Sequence, residues 1–336
     1  MTRPRVQDVA RAAGVGASTV SRVLNGHPHI SPGARARVLA AVEALGYTPD
    51  LNARSLRSGQ TGAVSVLLPM TGTAFYETLL TAVHGRLEAA QLDLALFPLM
   101  GGQRIRRFRE PGALPYRADG LLIASQNPDR LYDGRPPFAG PVVLVDAHHP
   151  GYHSVWFDNL AAGRVAGEFA ARRGLPVVLL DGIEGPEGLD SPVFQERRAG
   201  VLAALREAGA PPMLTLEVPA TLEGGRDAAG HLLARGVGGT GPFFLLALSD
   251  DLAVGAGRQL RDAGLEAGRD YLALGFDGGV LAREADLTSV VQPVRELGET
   301  AADVLLGALA GDLGRTVERV FAPTLIERGS TRRVGA

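Results

Sequence analysis

Arg22 is the side chain in this sequence best suited to read a nucleic-acid base, because a guanidinium fork can bond both acceptors on a guanine edge. Ser18, one helical turn earlier, can bond a base or a phosphate, and Ala17 can touch a thymine methyl. Ser21 shares their outward face, while Asn25 and Ser31 stand where polar side chains meet phosphates, contacts that position rather than specify. Two other patterns suggest chemistry and fail on context. Residues 236–241 spell GxGxxG, but they follow a helical pattern and precede a strand, the reverse of a dinucleotide-binding fingerprint, so they read as a loop. His148, His149 and His153 cluster behind Asp146, yet one loop does not supply a tetrahedral metal shell, and no metal is expected. No nucleophile–base–orienter arrangement is visible, so neither catalysis nor a cofactor is expected.

The base-reading set needs a helix to present it. Val6, Val9, Ala10 and Ala13 fall on one helical face, and Gly14-Val15-Gly16 breaks the pattern. A second helix resumes with Val20, Val23 and Leu24 inward and ends at Gly26. Ser31-Pro32 is a helix start, and Val38, Ala41, Val42 and Leu45 form the stripe of a third helix that Gly46 closes. Two short helices about a glycine turn, closed by a third, make a helix-turn-helix unit whose second helix enters the major groove by its N-terminal end. A plain helical bundle with solvated arginines is the alternative.

The charge distribution favours contact with phosphate. The 336 residues carry a formal net charge of −2, but residues 1–62 hold eight arginines against Asp8, Glu43 and Asp50, a net +5, and the remainder carries −7. The length allows two or three domains at roughly 100–200 residues each. There is no cysteine, so disulfides and thiolate metal sites are excluded. No apolar run reaches the roughly 18 residues of a membrane span, and no signal-peptide core opens the chain; a soluble cytoplasmic protein is expected.

The string Val6-Gln7-Asp8-Val9-Ala10, Gly14-Val15 and Thr19-Val20-Ser21-Arg22-Val23-Leu24-Asn25 closely resembles the head of the lactose-repressor (LacI/GalR) family, as does Gly46-Tyr47-Thr48-Pro49-Asp50 with Ala53-Arg54-Ser55-Leu56. The resemblance implies a DNA-binding transcription regulator, a homodimer on a near-palindromic double-stranded operator. Arg5, Thr19 and Arg57 join the DNA-facing candidates. Residues 48–61 read as a hinge too short for a stable isolated helix. In the family such a hinge folds on DNA and a leucine pries open the central step from the minor groove; Leu56 matches it, with Ala53 beside it. An ordinary buried leucine is the alternative for Leu56.

Beyond residue 62 the pattern alternates apolar strands (63–68, 92–97, 120–124, 141–146, 177–180, 243–248, 271–276) with helices (75–90, 160–173, 196–208, 252–263). That alternation means parallel sheets covered on both faces. The implied fold is an N-terminal all-α helix-turn-helix head plus an α/β periplasmic-binding-protein-like sensor of two doubly wound parallel-sheet subdomains. The expected boundaries are 1–47 for the head, 48–61 for the hinge and 62–336 for the sensor. Its subdomains are expected at about 62–160 with 291–320 and about 161–290 with 321–330, and the chain is expected to cross near 159–161, 289–291 and 320. The absence of leucine heptads after Ser330 points to a dimer.

A ligand is expected between the subdomains, at strand carboxyl ends. Phe75 and Tyr76, at the first strand–helix junction, offer aromatic faces for a sugar or a base, or else pack in the core. Asp146 and Asp158 end strands and either meet ligand or cap the following loops. By resemblance Arg197 and Asp250 are polar anchors on the far wall, suited to hydroxyl or carboxylate groups. Two departures stand out. Ala220 falls where many relatives carry a stacking aromatic, and residues 101–118 and 127–141 are broken by glycine and proline where helices are expected. A carbohydrate effector is the first expectation. A purine-like corepressor, a regulator without an effector, and a sugar-binding protein without DNA function remain alternatives.

Overall fold

The computed structural model describes residues 4–24, 26–47, 61–69, 71–99, 106, 118–132, 138–183, 192–239 and 241–332. Backbone contacts divide the chain into one unit up to Thr61 and another from Gly62 onward.

Among its described residues the first unit has three helices: α1 (Val6–Ala13), α2 (Ala17–Leu24) and α3 (Pro32–Leu45). Their buried residues are Val9, Ala10 and Ala13, then Val20 and Val23, then Val38 and Ala41, which form one small core. Gly14 and Gly46 end α1 and α3 at φ 62° and 58°, left-handed backbone that a side chain would strain. Ser31 caps α3, its Oγ accepting from the Ala34 amide at 3.4 Å, with proline in the first turn. Leu45, expected on the inner stripe, is instead 37% exposed.

The second unit contains two six-stranded sheets. The first has the order β11-β5-β4-β3-β1-β2 and is parallel throughout, with β1 (Ala63–Leu68), β2 (Asp93–Pro98), β3 (Gly120–Ala124), β4 (Val142–Val145), β5 (His153–Phe157) and β11 (Glu318–Phe321). The second has the order β12-β10-β9-β8-β6-β7, with β6 (Val177–Ile183), β7 (Leu214–Pro219), β8 (Phe243–Ala247), β9 (Tyr271–Asp277) and β10 (Thr288–Val291). Among the described strands only β12 (Thr324–Ile326) runs antiparallel, against β10. Central strands β3, β4 and β8 are buried along their whole length, which is why they read as unbroken apolar runs.

Among its described residues the unit also has helices α4 (Ala74–Ala89), α5 (Pro128–Tyr132), α6 (Asn159–Arg172), α7 (Pro192–Glu207), α8 (Leu222–Ala234), α9 (Asp250–Asp262), α10 (Val280–Glu284) and α11 (Val294–Ala310). The chain passes from the first sheet to the second between β5 and β6. It returns between β10 and α11, which packs on α4 and on β3, β4 and β5, and it crosses again between β11 and β12. Helices α6 and α7 press together at glycines: a Cβ on Gly163 would meet the Arg197 carbonyl oxygen at 2.2 Å, and one on Gly200 would meet that of Leu160 at 2.2 Å. That close approach holds α7, and with it Arg197, against the crossover.

The irregular stretches differ from one another. Among the described residues of 127–141 the one helix is the five-residue α5, while of 101–118 the structure describes Arg106 and Ala118 alone. Helix α7 begins at Pro192, four residues before the sequence reading placed it, so Arg197 lies in its second turn. Residues 236–239 turn between α8 and β8, as a loop.

Candidate DNA-reading face and interlobe cleft

The N-terminal half of α2 is open. Ala17, Ser18 and Arg22 are exposed, Thr19 and Ser21 are partly so, and Val20 and Val23 hold the opposite face in the core. The Arg22 side chain has no ion pair or hydrogen bond among the described residues, so its fork is free to meet a base. Two other arginines are committed to the fold: Arg35 Nη2 donates to the His27 carbonyl at 2.8 Å and Arg37 Nε to that of Ala13 at 3.2 Å. Arg5 is exposed at the start of α1, its amide donating to Asp8 Oδ2 at 2.9 Å. Ser31 is exposed as well as capping α3. Asn25, Ala53, Leu56 and Arg57 lie outside the described residues.

In the second unit a cleft runs between the carboxyl ends of the two sheets. Its inner chamber is walled by Thr73, Phe75, Asp146, Phe194, Arg197, Ala220, Ser249, Asp251 and Asp277, among others. It shares Asp146 and Val193 with a second chamber, and Phe75, Asp251 and Asp277 with a third. The pattern of two aromatic faces, one guanidinium and several carboxylates suits a small molecule with many hydroxyls.

Arg197 is the centre of the cleft. Only 2% exposed, it donates from Nε to Asn159 Oδ1 at 2.8 Å and from Nη1 to the Leu248 carbonyl at 2.8 Å. Nη2 donates to Asp277 Oδ1 at 3.0 Å and to Gln292 Oε1 at 2.9 Å. Four of its five N–H groups are thereby used, leaving one on Nη1 for a ligand. Gln292 Nε2 in turn donates to Asp146 Oδ1 at 2.7 Å, and Ser125 Oγ to Asp146 Oδ2 at 2.8 Å. A continuous polar chain therefore links Ser125 and Asp146 on the first lobe to Arg197 and Asp277 on the second, through Gln292 at the crossover after β10. Ser125, Asp146 and Asp277 have φ of 51°, 54° and 99° at the ends of β3, β4 and β9, left-handed backbone that non-glycine residues adopt at a cost. The strain is concentrated where the strand ends turn into the cleft.

The carboxyl groups are held toward their neutral forms. Burial pushes Asp146 up to about 6, against the Arg197 charge and the Ser125 and Gln292 hydrogen bonds. Asp251 is also pushed up to about 6, by burial and then by the nearby Asp277 charge. Asp250 lies well above the usual carboxylate range, first through burial and then through Asp277, although Ser289 Oγ and the Gly278 and Gly279 amides bond it at 2.8, 2.7 and 3.3 Å.

The structure sorts the candidates of the sequence reading. Phe75, Asp146 and Arg197 meet in the inner chamber. Tyr76 does not join them: it is 1% exposed in the main core, edge-on to Phe75 at 4.9 Å between ring centres. Asp158 caps α6, its Oδ1 accepting from the Ala161 amide at 2.8 Å, and does not wall the inner chamber. Asp250 faces the third chamber and ties the ends of β9 and β10 together, while its neighbour Asp251 faces the inner one. Ala220 does wall the chamber, 4% exposed. Sequence reasoning missed Thr73, Phe194, Ser249, Asp251, Asp277 and Gln292. Asp277 ends β9 and Gln292 directly follows β10, positions that carried a signal; Phe194 carried none. The three histidines go separate ways: His148 to Glu196, His149 to Asp129, and His153 Nδ1 to the Val317 amide.

A three-helix head with an exposed second helix, and a two-lobed unit with a polar cleft, define a nucleic-acid-binding module combined with a small-molecule sensor. Residues 5–50 match the family described as bacterial regulatory proteins, lacI family, and residues 182–331 match the periplasmic binding protein-like domain. The ribose operon repressor of Escherichia coli (strain K12) is 32% identical over 334 residues, covering 97% of this chain and 99% of that protein. A probable transcription regulator from Thermus thermophilus is 40% identical in its crystal structure, with a TM-score of 0.65 over 80% of this chain and 97% of that one. A transcriptional regulator, CelR, solved with cellobiose, is 27% identical, with a TM-score of 0.66 over 98% of this chain and 100% of that one. The chain belongs to the lacI family of bacterial regulatory proteins, and it is a DNA-binding transcriptional regulator. Among the described residues no helix is long and apolar enough to cross a membrane.

Proposed function

We propose that this chain is a repressor whose grip on a near-palindromic operator is set by a carbohydrate bound in the interlobe cleft, and that it acts by binding alone, as a cytoplasmic homodimer. The observation that supports the effector class is the inner chamber, where one free guanidinium N–H, two titratable carboxyls and the Phe75 and Phe194 rings converge. Hydroxyl groups both donate to carboxylates and accept from arginine, and a sugar's C–H face rests on an aromatic ring. The relatives named for ribose and for cellobiose support the same class.

In this reading residues 1–47 bind DNA, 48–61 are the hinge and 62–336 sense the effector and dimerise, with subdomains at about 62–160 with 291–320 and about 161–290 with 321–330. Arg22, Ser18, Ala17 and Ser21 read the major groove; Arg5, Thr19, Asn25, Ser31 and Arg57 meet the backbone; Leu56, with Ala53, enters the minor groove. Phe75, Asp146, Arg197 and Asp251 contact effector. Ligand shifts the operator equilibrium only if it binds the open and closed lobes with different affinity. The test is fluorescence anisotropy of the purified protein on a palindrome from its own upstream region, titrated with pentoses, hexoses, disaccharides and nucleobases. Release or tightening by a sugar bears the reading out. A response to purines alone refutes the carbohydrate class, and specific binding that no ligand alters refutes effector control.

A further inference from the structure

The histidines left over from the cleft are not equivalent. His149 pairs within the first lobe, with Asp129 of α5 at 3.1 Å. His148, on the loop after β4, reaches the other lobe: its Nε2 lies 3.5 Å from Glu196 Oε1 on α7. Both side chains wall the second chamber, together with Trp156 and Asn127. We propose that His148 and Glu196 form a proton-operated clasp across the cleft, so that protonation of the imidazole favours the arrangement in which the lobes are drawn together.

Three features of the cleft support this. The pair joins elements of different lobes, so its strength enters the balance between open and closed forms directly. The His148 ring stacks on the Trp156 indole, with 4.2 Å between centres and 28° between planes, and an imidazolium gains attraction from that face that a neutral imidazole lacks. Trp156 is itself fixed, its Nε1 donating to Glu318 Oε1 at 3.2 Å.

The charged surroundings are mainly acidic. Glu196 comes from α7, Asp158 from the start of α6, Asp146 from the end of β4 and Glu318 from β11 behind the indole. The nearby cation is Arg197, already matched by Asp277 at 3.0 Å. The Glu196 carboxyl is raised above its usual value, by burial first and then by Asp158, while His148 and Arg197 oppose the rise. The charged pair requires an ionised Glu196, so it weakens again in stronger acid as that carboxyl takes up a proton.

The side chains are 43% and 31% exposed, so solvent limits the effect to about a two- to five-fold change in the closed-to-open ratio. The chain has no cysteine, which permits clean labelling of the full protein through Ala139→Cys and Ala208→Cys, exposed positions on the first and second lobes. Energy transfer between dyes there, without effector, reads the ratio as the pH falls from about 8 to about 6. Asp146 and Asp251 also titrate in this range, so the informative quantity is the difference between the wild type and its variants. His148→Gln keeps a donor but has no proton to gain, and Glu196→Gln keeps the shape without the charge. Each should remove the same two- to five-fold part of the pH response, and His149→Gln should remove none. A response unchanged in both His148→Gln and Glu196→Gln, or lost equally in His149→Gln, overturns the clasp.

Discussion

Replacing Arg197 by methionine probes the polar chain that joins the two lobes. Methionine fills most of the arginine's volume but removes all four of its hydrogen bonds, leaving the Asp277 carboxylate, Gln292 Oε1, Asn159 Oδ1 and the Leu248 carbonyl to find other partners. Removing one member of a buried ion pair costs about 3–5 kcal/mol, because the charge left behind is poorly solvated. The Asp277 side chain retains 14% exposure, so water relieves part of that penalty, and a loss near the lower end, about 3 kcal/mol, is expected. Adding Asp277→Asn removes the orphaned charge and should restore about 1–2 kcal/mol. The assay is urea unfolding followed by fluorescence of Trp156, the single tryptophan, which lies in the sensor. A loss below about 1 kcal/mol for Arg197→Met, or no recovery in the double variant, would show that Arg197 does not hold the lobes as described.

The carboxyl groups predict a pH dependence of definite sign. Asp146 titrates at about 6 when folded against a usual 3.8, so between those values the folded form holds a proton that the unfolded chain has released. Stability is then full below the lower value and lost as pH rises through the upper one, by about 2–4 kcal/mol for this group. Asp146→Asn should flatten that part of a stability–pH curve measured by urea unfolding; an unchanged curve refutes the assignment. In the head, Arg22→Ala should lower specific operator affinity by about 1–3 kcal/mol and leave the salt-dependent nonspecific binding, as competition anisotropy would show. Specificity that survives the change assigns base reading elsewhere. Gly163→Ala places a Cβ 2.2 Å from the Arg197 carbonyl oxygen and should cost about 1–3 kcal/mol through separation of α6 and α7, measured by the same unfolding assay; a neutral result would mean the helices stand farther apart.

The sequence alone determined the features whose physics is local. Helix periods, glycine stops and the Ser31-Pro32 start place α1, α2 and α3 without reference to anything distant, and the exposure of Arg22 follows from the periodicity that buries Val20 and Val23. Unbroken apolar runs likewise identify β3, β4 and β8, since only a strand covered on both faces tolerates them. Strand β11 was harder to read, because it is exposed along most of its length and only four residues long, and β7 was missed although Leu214, Leu216 and Val218 alternate with polar residues. The identity of the cleft residues was decided by tertiary structure. Asp250 and Asp251 are neighbours in sequence, but the first turn of α9 sends one back to the Gly278 and Gly279 amides and leaves the other facing the inner chamber. Phe75 and Tyr76 divide between cleft and core in the same way, as consecutive helical residues diverge by about 100°. Gln292 gains its place because Asp146, 146 positions earlier, and Arg197, 95 positions earlier, are brought to the crossover by two different sheets. No local pattern records a hydrogen bond between residues that only the fold makes neighbours.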